Sequence, residues 1–313
     1  MKKALACLQR AAKPPPAAPD PRSRGEGLTD LHLTLDGRPD AGDAGILLAA
    51  RRGYFSDAGV DLEITSPVIA SNLPGYLDEG ASDLGLLPQP QVTIARAEGM
   101  PLVAIGGVIR RPTMAMMSLQ GSGIESVADL QGKTVAIDSL SFEEAALEAA
   151  LARGDLTLED VKLQRASYWL VPALVKGRAD AIVGAPNIEA VELEACGVDP
   201  VVVPLRDLGI PPYEELDVVV RRDRLARDPR AFRGFMTALA RGTAAAVAEP
   251  RAAAAAISSY RAELEAGHPQ EPAVVEAKLR ATLPLLSRSG SMDRKRAVHF
   301  AGWMREQGLI QDR

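Results

Sequence analysis

Three aspartates crowd one short segment of the chain: Asp36, Asp40 and Asp43, in LTLDGRPDAGDAG. Ionised carboxylates only accept hydrogen bonds, so this loop suits a cationic guest or one that presents N–H groups. Local structure competes for the same side chains. Asp43 is placed to cap the helix that follows, and Asp40, directly after Pro39, suits a turn. Arg38 offers the opposite chemistry, a guanidinium for an anion, unless it simply stands in solvent. Further on, Gln89 and Gln91 flank Pro90, and Asn72 lies near another turn. Amides both donate and accept, so they can read the edges of a ring. Ser139, Ser141 and Phe142 open a helix whose free N–H groups favour an anion or a carbonyl. A capping box from Ser141 to Glu144 accounts for that serine without any guest.

What is missing narrows the chemistry. His32, His268 and His299 are scattered, with no His-x-x-x-His or cysteine-rich metal spacing. There is no G-x-S-x-G elbow and no phosphate loop. No catalytic residue, metal or cofactor is expected. The 313 residues carry a net charge of −5, so no basic field points to nucleic acid. With 47% apolar and 25% charged residues the composition is that of an ordinary globular protein. No apolar run is long enough to span a bilayer. Cys7 and Cys196 give no metal spacing and no convincing disulfide, and leave the redox compartment open.

The elements that must position these residues follow from periodicity. LHLTLDG alternates as a strand, and DAGILLAARRGYF reads as a helix with Ile46, Leu47 and Ala50 on one face and Gly53 as its stop. VDLEIT is a strand, LPGYLDEG a helix, DLGLL a strand, PQVTIARAEG a helix and PLVAIGGVI a strand. After MAMMSL the scheme restarts. ESVADLQGKTVAID gives a short helix and a strand, followed by the helix SFEEAALEAALARG, the strand VKLQRAS, the helix YWLVPALVKG, the strand DAIVG, the helix IEAVELEACG and the strand PVVVPL. LDVVVRRD is a last strand, and from Asp228 onward the chain reads as helical. Alternating strands and helices mean an α/β fold with mainly parallel sheets.

One phrase is written twice. LDEGASDLGLL (Leu77 to Leu87) and LVKGRADAIVG (Leu174 to Gly184) share L-x-x-G-x-x-D before an apolar run. Both stand where a helix stops and a strand begins, at the same rank in successive α/β runs. Gly80 and Gly177 suit a left-handed C′ position; Asp83 and Asp180 suit the turn that launches the strand. Two similar lobes are therefore expected, with ligands gathering at the carboxyl ends of the strands. Those ends are the segments PQPQ and APNIE.

Residues 1–28 read as a leader and linker apart from the fold. MKKALACLQR has a basic start but too short an apolar stretch for a signal peptide, and AAKPPPAAPDPRSRGEG has the composition of a disordered linker. ALAC faintly resembles a lipoprotein cleavage box, though a surface cysteine in a loose tail is the simpler reading.

LTLDGRPDAGDAGILLAARRGYFSDAGVDLEI, GASDLGLLPQPQVTIARAEGMPLVAIGGVIRRP, SGIESVADLQGKTVAID, LVPALVKGRADAIVGAPNIEAVEL and LGIPPYEELDVVVRRD together resemble periplasmic solute-binding proteins of ABC importers. The group they are most similar to is the thiamine-pyrimidine-precursor binders, with their relatives for riboflavin, sulfonates and taurine. The resemblance implies a type II periplasmic-binding-protein fold with a two-strand hinge, MAMMSL and LDVVVRRD. Lobe one takes residues 29–112 plus 217–313, and lobe two takes residues 113–216. It implies a monomer that holds a small molecule between its lobes and delivers it to ABC permease subunits outside the cytoplasm.

Site residues carried over from the resemblance depart from the family pattern. Gly37 stands for a tryptophan after the first strand, Asp43 for a histidine, Pro88 for a tyrosine before Gln89, and Pro186 for a tryptophan. Asn187 and Glu189 are kept, and the counterpart of Glu189 pairs with an amino-substituted ring. A solvated glutamate in the first turn of a helix is the competing reading, favoured by the helix dipole. Each absent aromatic removes stacking of roughly 0.5–1.5 kcal/mol beyond area burial. Either Tyr168, Trp169 or Tyr213 supplies a wall instead, or the site takes a bulkier guest such as a flavin. The ligand set expected is thus Asp36, Gly37, Asp40, Asp43, Pro88, Gln89, Ser139, Trp169, Asn187, Glu189 and Tyr213. The resemblance also extends to yeast-type pyrimidine synthases, whose cysteine cluster is absent here, and in shape to menaquinone-pathway enzymes. An enzyme on the same fold is therefore the alternative.

Overall fold

The computed structural model describes residues 27–67, 72–138, 141–166, 169–264 and 270–311. Two compact units divide them: a first unit of residues 27–110 and 214–294, and a second of residues 111–213 and 295–311.

The first unit is built on strands β1 (Thr29–Thr34), β2 (Val60–Thr65), β3 (Leu84–Leu87), β4 (Leu102–Ile109) and β10 (Leu216–Arg221). Their order is β2-β1-β3-β10-β4. β1 runs parallel to β2 and β3, and β10 runs antiparallel between β3 and β4. The second unit holds β5 (Ala115–Leu119), β6 (Thr134–Ile137), β7 (Lys162–Arg165), β8 (Ala181–Gly184) and β9 (Pro200–Pro204), in the order β7-β6-β8-β5-β9. Here β6 is parallel to β7 and β8, and β5 runs antiparallel between β8 and β9. The two sheets share one plan: second, first and third strand of a run, an antiparallel strand, then the fourth. The antiparallel member precedes its run in the second sheet and comes from far downstream in the first.

The repeated phrase serves that plan through its hydrogen bonds. Gly80 and Gly177 both adopt left-handed backbone, φ 77° and 67°, which closes the preceding helix. Asp83 N donates to His32 O at 2.9 Å, and His32 N donates to Asp83 Oδ2 at 2.9 Å. Asp180 N donates to Thr134 O and Thr134 N to Asp180 Oδ2, both at 2.8 Å. In each unit the aspartate extends the ladder by one rung and ties the incoming third strand to the first.

Helices connect the strands. In the first unit these are α1 (Ala44–Arg51), α2 (Tyr54–Asp57), α3 (Leu73–Asp78) and α4 (Gln89–Ala97); in the second, α5 (Ser141–Leu151), α6 (Leu170–Val175) and α7 (Glu189–Ala195). After β10 come α8 (Arg222–Arg227), α9 (Pro229–Ala248), α10 (Pro250–Leu264), α11 (Pro272–Thr282) and α12 (Arg294–Glu306). α1 is buried along Ala44–Ala49 because α9 crosses it closely. A Cβ on Gly242 would lie 2.1 Å from Gly45 O, and one on Gly45 2.4 Å from Thr243 Oγ1. Phe55 of α2 stacks on Phe235 of α9 at 5.1 Å. The segment after α11 runs along β4, the sheet's outer strand: Ser287 N donates to Val108 O and Gly107 N to Gly290 O. That edge is thereby covered.

Several expectations change. Asp40 caps a 3-10 turn, Ala41–Asp43, that precedes α1; Asp43 holds the cap position of α1 but makes no side-chain cap bond there. The short helix before β6 is also 3-10, Val127–Leu130, with Ser126 and Asp129 forming its box. Ser141 is the first residue of α5, Glu144 is ion-paired with Arg165, and the cap position lies outside the described residues. From residue 295 α12 groups with the second unit. The reason is aromatic packing: Phe300 and Trp303 sit against Phe142, and Phe300 against Tyr213. Cys196 is 6% exposed, and Cys7 lies outside the described residues.

Candidate functional site

In the first unit the carboxyl end of β1 leads into Asp36, exposed, and Gly37 and Arg38, half-buried. Pro39 is buried, and Asp40 closes the loop in a reciprocal cap. Ala41 N donates to Asp40 Oδ1 at 2.8 Å, and Asp40 N to Asp43 Oδ2 at 2.9 Å. The other Asp40 oxygen receives Lys278 Nζ at 2.8 Å and Arg261 Nη1 at 3.4 Å. Arg261 Nη1 also reaches Pro39 O at 2.9 Å. Burial opposes the charged form of Asp40, but Lys278 and Arg261 outweigh it and hold the carboxyl below its usual range. The loop is thus clamped from behind by two buried cations of α10 and α11, at 7% and 0% exposure.

Asp43, 2% exposed, differs from its neighbour. Its Oδ1 has no hydrogen-bond partner among the described residues. Burial, then the charge of Asp36, pushes its carboxyl well above the usual range. Asp36, Gly37, Asp40 and Asp43 therefore form one acceptor-rich loop in which Asp40 is committed to the protein's own cations.

At the carboxyl end of β3, Pro88 occupies the cap position of α4 and Gln89 is its first residue. Gln89 N donates to Glu214 O at 3.1 Å, and Glu214 N donates to Gln89 Oε1 at 2.8 Å. The amide proposed to read a ring's edge thus gives its oxygen to the entry of β10. Beside it lies a carboxyl pair that the sequence reading missed: Glu214, 1% exposed, and Asp217, 2% exposed. Asp217 sits opposite Leu87 of β3 and Gly107 of β4. Its Oδ1 has no hydrogen-bond partner among the described residues, and burial, then the charge of Glu214, pushes its carboxyl up to about 8. An acid inside the apolar run LDVVV was the signal available. Lys278 and Arg261 gave none, since cations on helices ordinarily face solvent.

In the second unit β8 ends at Gly184 and a turn leads into α7. Ala185 N donates to Glu189 Oε2 at 2.8 Å, and a Cβ on Gly184 would lie 3.0 Å from that oxygen. Glu189 thus closes its own turn through one oxygen, and Asn187 stands half-buried in the same turn. Trp169, 49% exposed, precedes α6 at its cap position. Tyr213 is 1% exposed, with its ring 5.3 Å from Phe142 and 4.9 Å from Phe300, so it belongs to an aromatic core rather than an open wall. Ser139 and Tyr168 lie outside the described residues.

Chemically, both strand ends accept hydrogen bonds and favour positive charge. Among the described residues no group of three or more His, Cys, Asp or Glu could hold a metal ion, and no helix is long and apolar enough to cross a membrane.

Two α/β units of common topology, with polar loops at the carboxyl ends of their strands, define a periplasmic-binding-protein fold. The alkanesulfonate-binding protein SsuA from Xanthomonas axonopodis pv. citri, solved bound to MOPS, superposes with a TM-score of 0.71 over 90% of this chain and 94% of that one, at 17% identity. The Escherichia coli aliphatic sulphonate-binding protein SsuA gives the same score and coverage. The chain belongs to the NMT1/THI5-like family, whose model matches residues 41–253. A Haemophilus influenzae protein named for thiamine biosynthesis is 30% identical over 282 residues, 90% of this chain and 88% of that protein. The formylaminopyrimidine-binding protein of Halalkalibacterium halodurans is 30% identical over 218 residues, 69% of this chain and 66% of that protein.

Proposed function

We propose that the protein is a solute-binding protein for a small amino-bearing heteroaromatic molecule of the thiamine pyrimidine-precursor class, which it delivers to an ABC permease outside the cytoplasm. The observation that carries this reading is the loop Asp36–Asp43. It stands at the carboxyl end of β1, where ligands of open α/β sheets gather, and is held rigid by Lys278 and Arg261. Asp36 is exposed on it, and Asp43 keeps a carboxyl oxygen without a hydrogen-bond partner among the described residues. An aminopyrimidine edge sets N–H donors beside a ring-nitrogen acceptor. A carboxylate accepts from the first, and a protonated carboxyl donates to the second. Similarity to a formylaminopyrimidine-binding protein supports the same ligand class. The enzyme alternative rests on fungal relatives named 4-amino-5-hydroxymethyl-2-methylpyrimidine phosphate synthase, such as that of Schizosaccharomyces pombe, 28% identical over 48% of this chain.

A thermal-shift screen tests the reading, with aminopyrimidines, formylaminopyrimidines, flavins, sulfonates, polyamines and aromatic acids. A ligand at roughly a hundred times its Kd adds about 2.7 kcal/mol of stability. The pyrimidines are expected to raise the melting temperature, Asp36→Asn and Glu189→Ala to diminish the shift. Sulfonates shifting the protein while every pyrimidine leaves it unmoved, or turnover of a pyrimidine, would overturn the assignment.

A further inference from the structure

A groove in the first unit stands apart from the acidic loop. It opens where the junction of α9 and α10 meets the end of α11, and its volume is about 670 Å³. That lies within the range of small-molecule pockets, roughly 300–1,000 Å³. Arg251, on its wall, is ten positions along α10 from Arg261, the clamp of Asp40, or about 15 Å of helix. Leu279, Leu283 and Ala252 give the groove an apolar floor. Its charges are Arg251, Arg280, Glu276 and Glu249. Glu249 is already engaged, because Arg52 donates to both of its oxygens, at 2.8 and 2.6 Å. The side chains of Arg251, Arg280 and Glu276 are exposed and make no hydrogen bond or ion pair with the described residues. Glu276 and Arg280 stand one turn apart on α11, while Lys278 between them points inward to Asp40.

We propose that this groove binds a dipeptide with apolar side chains by both of its free ends: the carboxylate between Arg251 and Arg280, the ammonium on Glu276, and the side chains over Leu279 and Leu283. The match is one of charge and of length. A guanidinium forks onto a carboxylate through parallel N–H bonds, and a carboxylate, which only accepts, suits an ammonium. Residues one helical turn apart have Cβ atoms roughly 5–6 Å apart, and two residues of extended chain span at most about 7 Å. The ends of a dipeptide therefore reach Glu276 and Arg280 together, whereas a single amino acid holds its two charges too close to each other. A plain organic acid leaves Glu276 against its apolar body, and a plain amine leaves both guanidiniums without an anion. Each exposed pair is weak alone, so binding depends on engaging both ends at once. The site is independent of the pyrimidine assignment.

The test titrates the full chain with Leu-Leu, N-acetyl-Leu-Leu and Leu-Leu amide, followed through backbone amide NMR shifts. Leu-Leu is expected to shift the amides of Arg251, Ala252, Leu279 and Arg280 saturably. Loss of the charged carboxylate in the amide form should weaken binding about tenfold, and loss of the ammonium in the acetylated form about threefold. Arg251→Gln and Arg280→Gln are expected to lose the preference for a free carboxylate, and Glu276→Gln the preference for a free ammonium. All three variants should keep the far-ultraviolet circular dichroism of the parent, since the altered side chains stand in solvent. Three peptides that bind alike, shifts confined to residues outside the groove, or no shift at all would overturn the proposal. So would a variant that keeps the parent's full discrimination. Should a variant not fold, the three peptides compared on the parent still decide.

Discussion

Replacing Asp217 with asparagine should flatten the dependence of stability on pH. In the unfolded chain the Asp217 carboxyl releases its proton near 3.8; in the folded protein burial, then Glu214, holds it to about 8. Between these values the folded form binds one more proton than the unfolded form, so stability falls as pH rises. Each pKa unit is worth about 1.4 kcal/mol, so from pH 5 to pH 8 this one group removes about 4 kcal/mol. Asparagine cannot ionise. It pays a desolvation penalty of about 1–3 kcal/mol for an under-bonded buried amide, but that penalty does not vary with pH. The informative quantity is therefore the difference in slope between parent and variant, not their difference at one pH. Asp43 is shifted in the same direction in both proteins and cancels. Urea unfolding at pH 5, 6, 7 and 8 measures the slopes. The parent should lose about 4 kcal/mol more than Asp217→Asn across that range. Parallel curves would show that Asp217 ionises freely in the folded state, and the buried pair would lose its electrostatic meaning.

Two further predictions concern the frame that holds the loops. Asp180→Ala should cost about 1 kcal/mol through the lost Thr134 N–H bond, and Asp83→Ala about 2 kcal/mol because Arg224, 2.7 Å away, also loses its partner. Urea midpoints for both variants unchanged from the parent would deny the aspartates their role in tying the third strand to the first. Lys278→Met should cost about 3 kcal/mol at neutral pH by leaving Asp40 with Arg261 alone. Asp40 is depressed in the folded state, so its contribution is present above its unfolded pKa and lost on acidification. The deficit of Lys278→Met should accordingly narrow below about pH 4 in the same unfolding assay.

Periodicity alone made the strands and helices legible, because alternation at two and at 3.6 residues records which side chains face the core. L-x-x-G-x-x-D carried both its glycine and its aspartate roles in plain view, since each is a local demand: a left-handed residue to stop a helix, and a short acceptor to catch the next N–H. The acidic loop after β1 was legible as a cluster for the same reason. Its division of labour was not. Asp40 is a clamp because Lys278 and Arg261 reach it from more than two hundred positions downstream. Asp43 is left with an open oxygen because Asp40 takes the cap. Glu189 and Gln89 looked like ligand contacts by type and place, and their partners, Ala185 N and Glu214 N, emerge only once the backbone turns back on itself. The burial of Asp217 beside Glu214 became visible only when β10 was inserted between β3 and β4. The amino-acid sequence by itself determined the two repeated sheets and the polarity of their strand ends, because those depend on neighbours a few residues apart. The tertiary structure alone decided which carboxyl groups are paired, buried or left open, because electrostatics depends on distance in space and on exclusion of water, and neither is written in spacing along the chain.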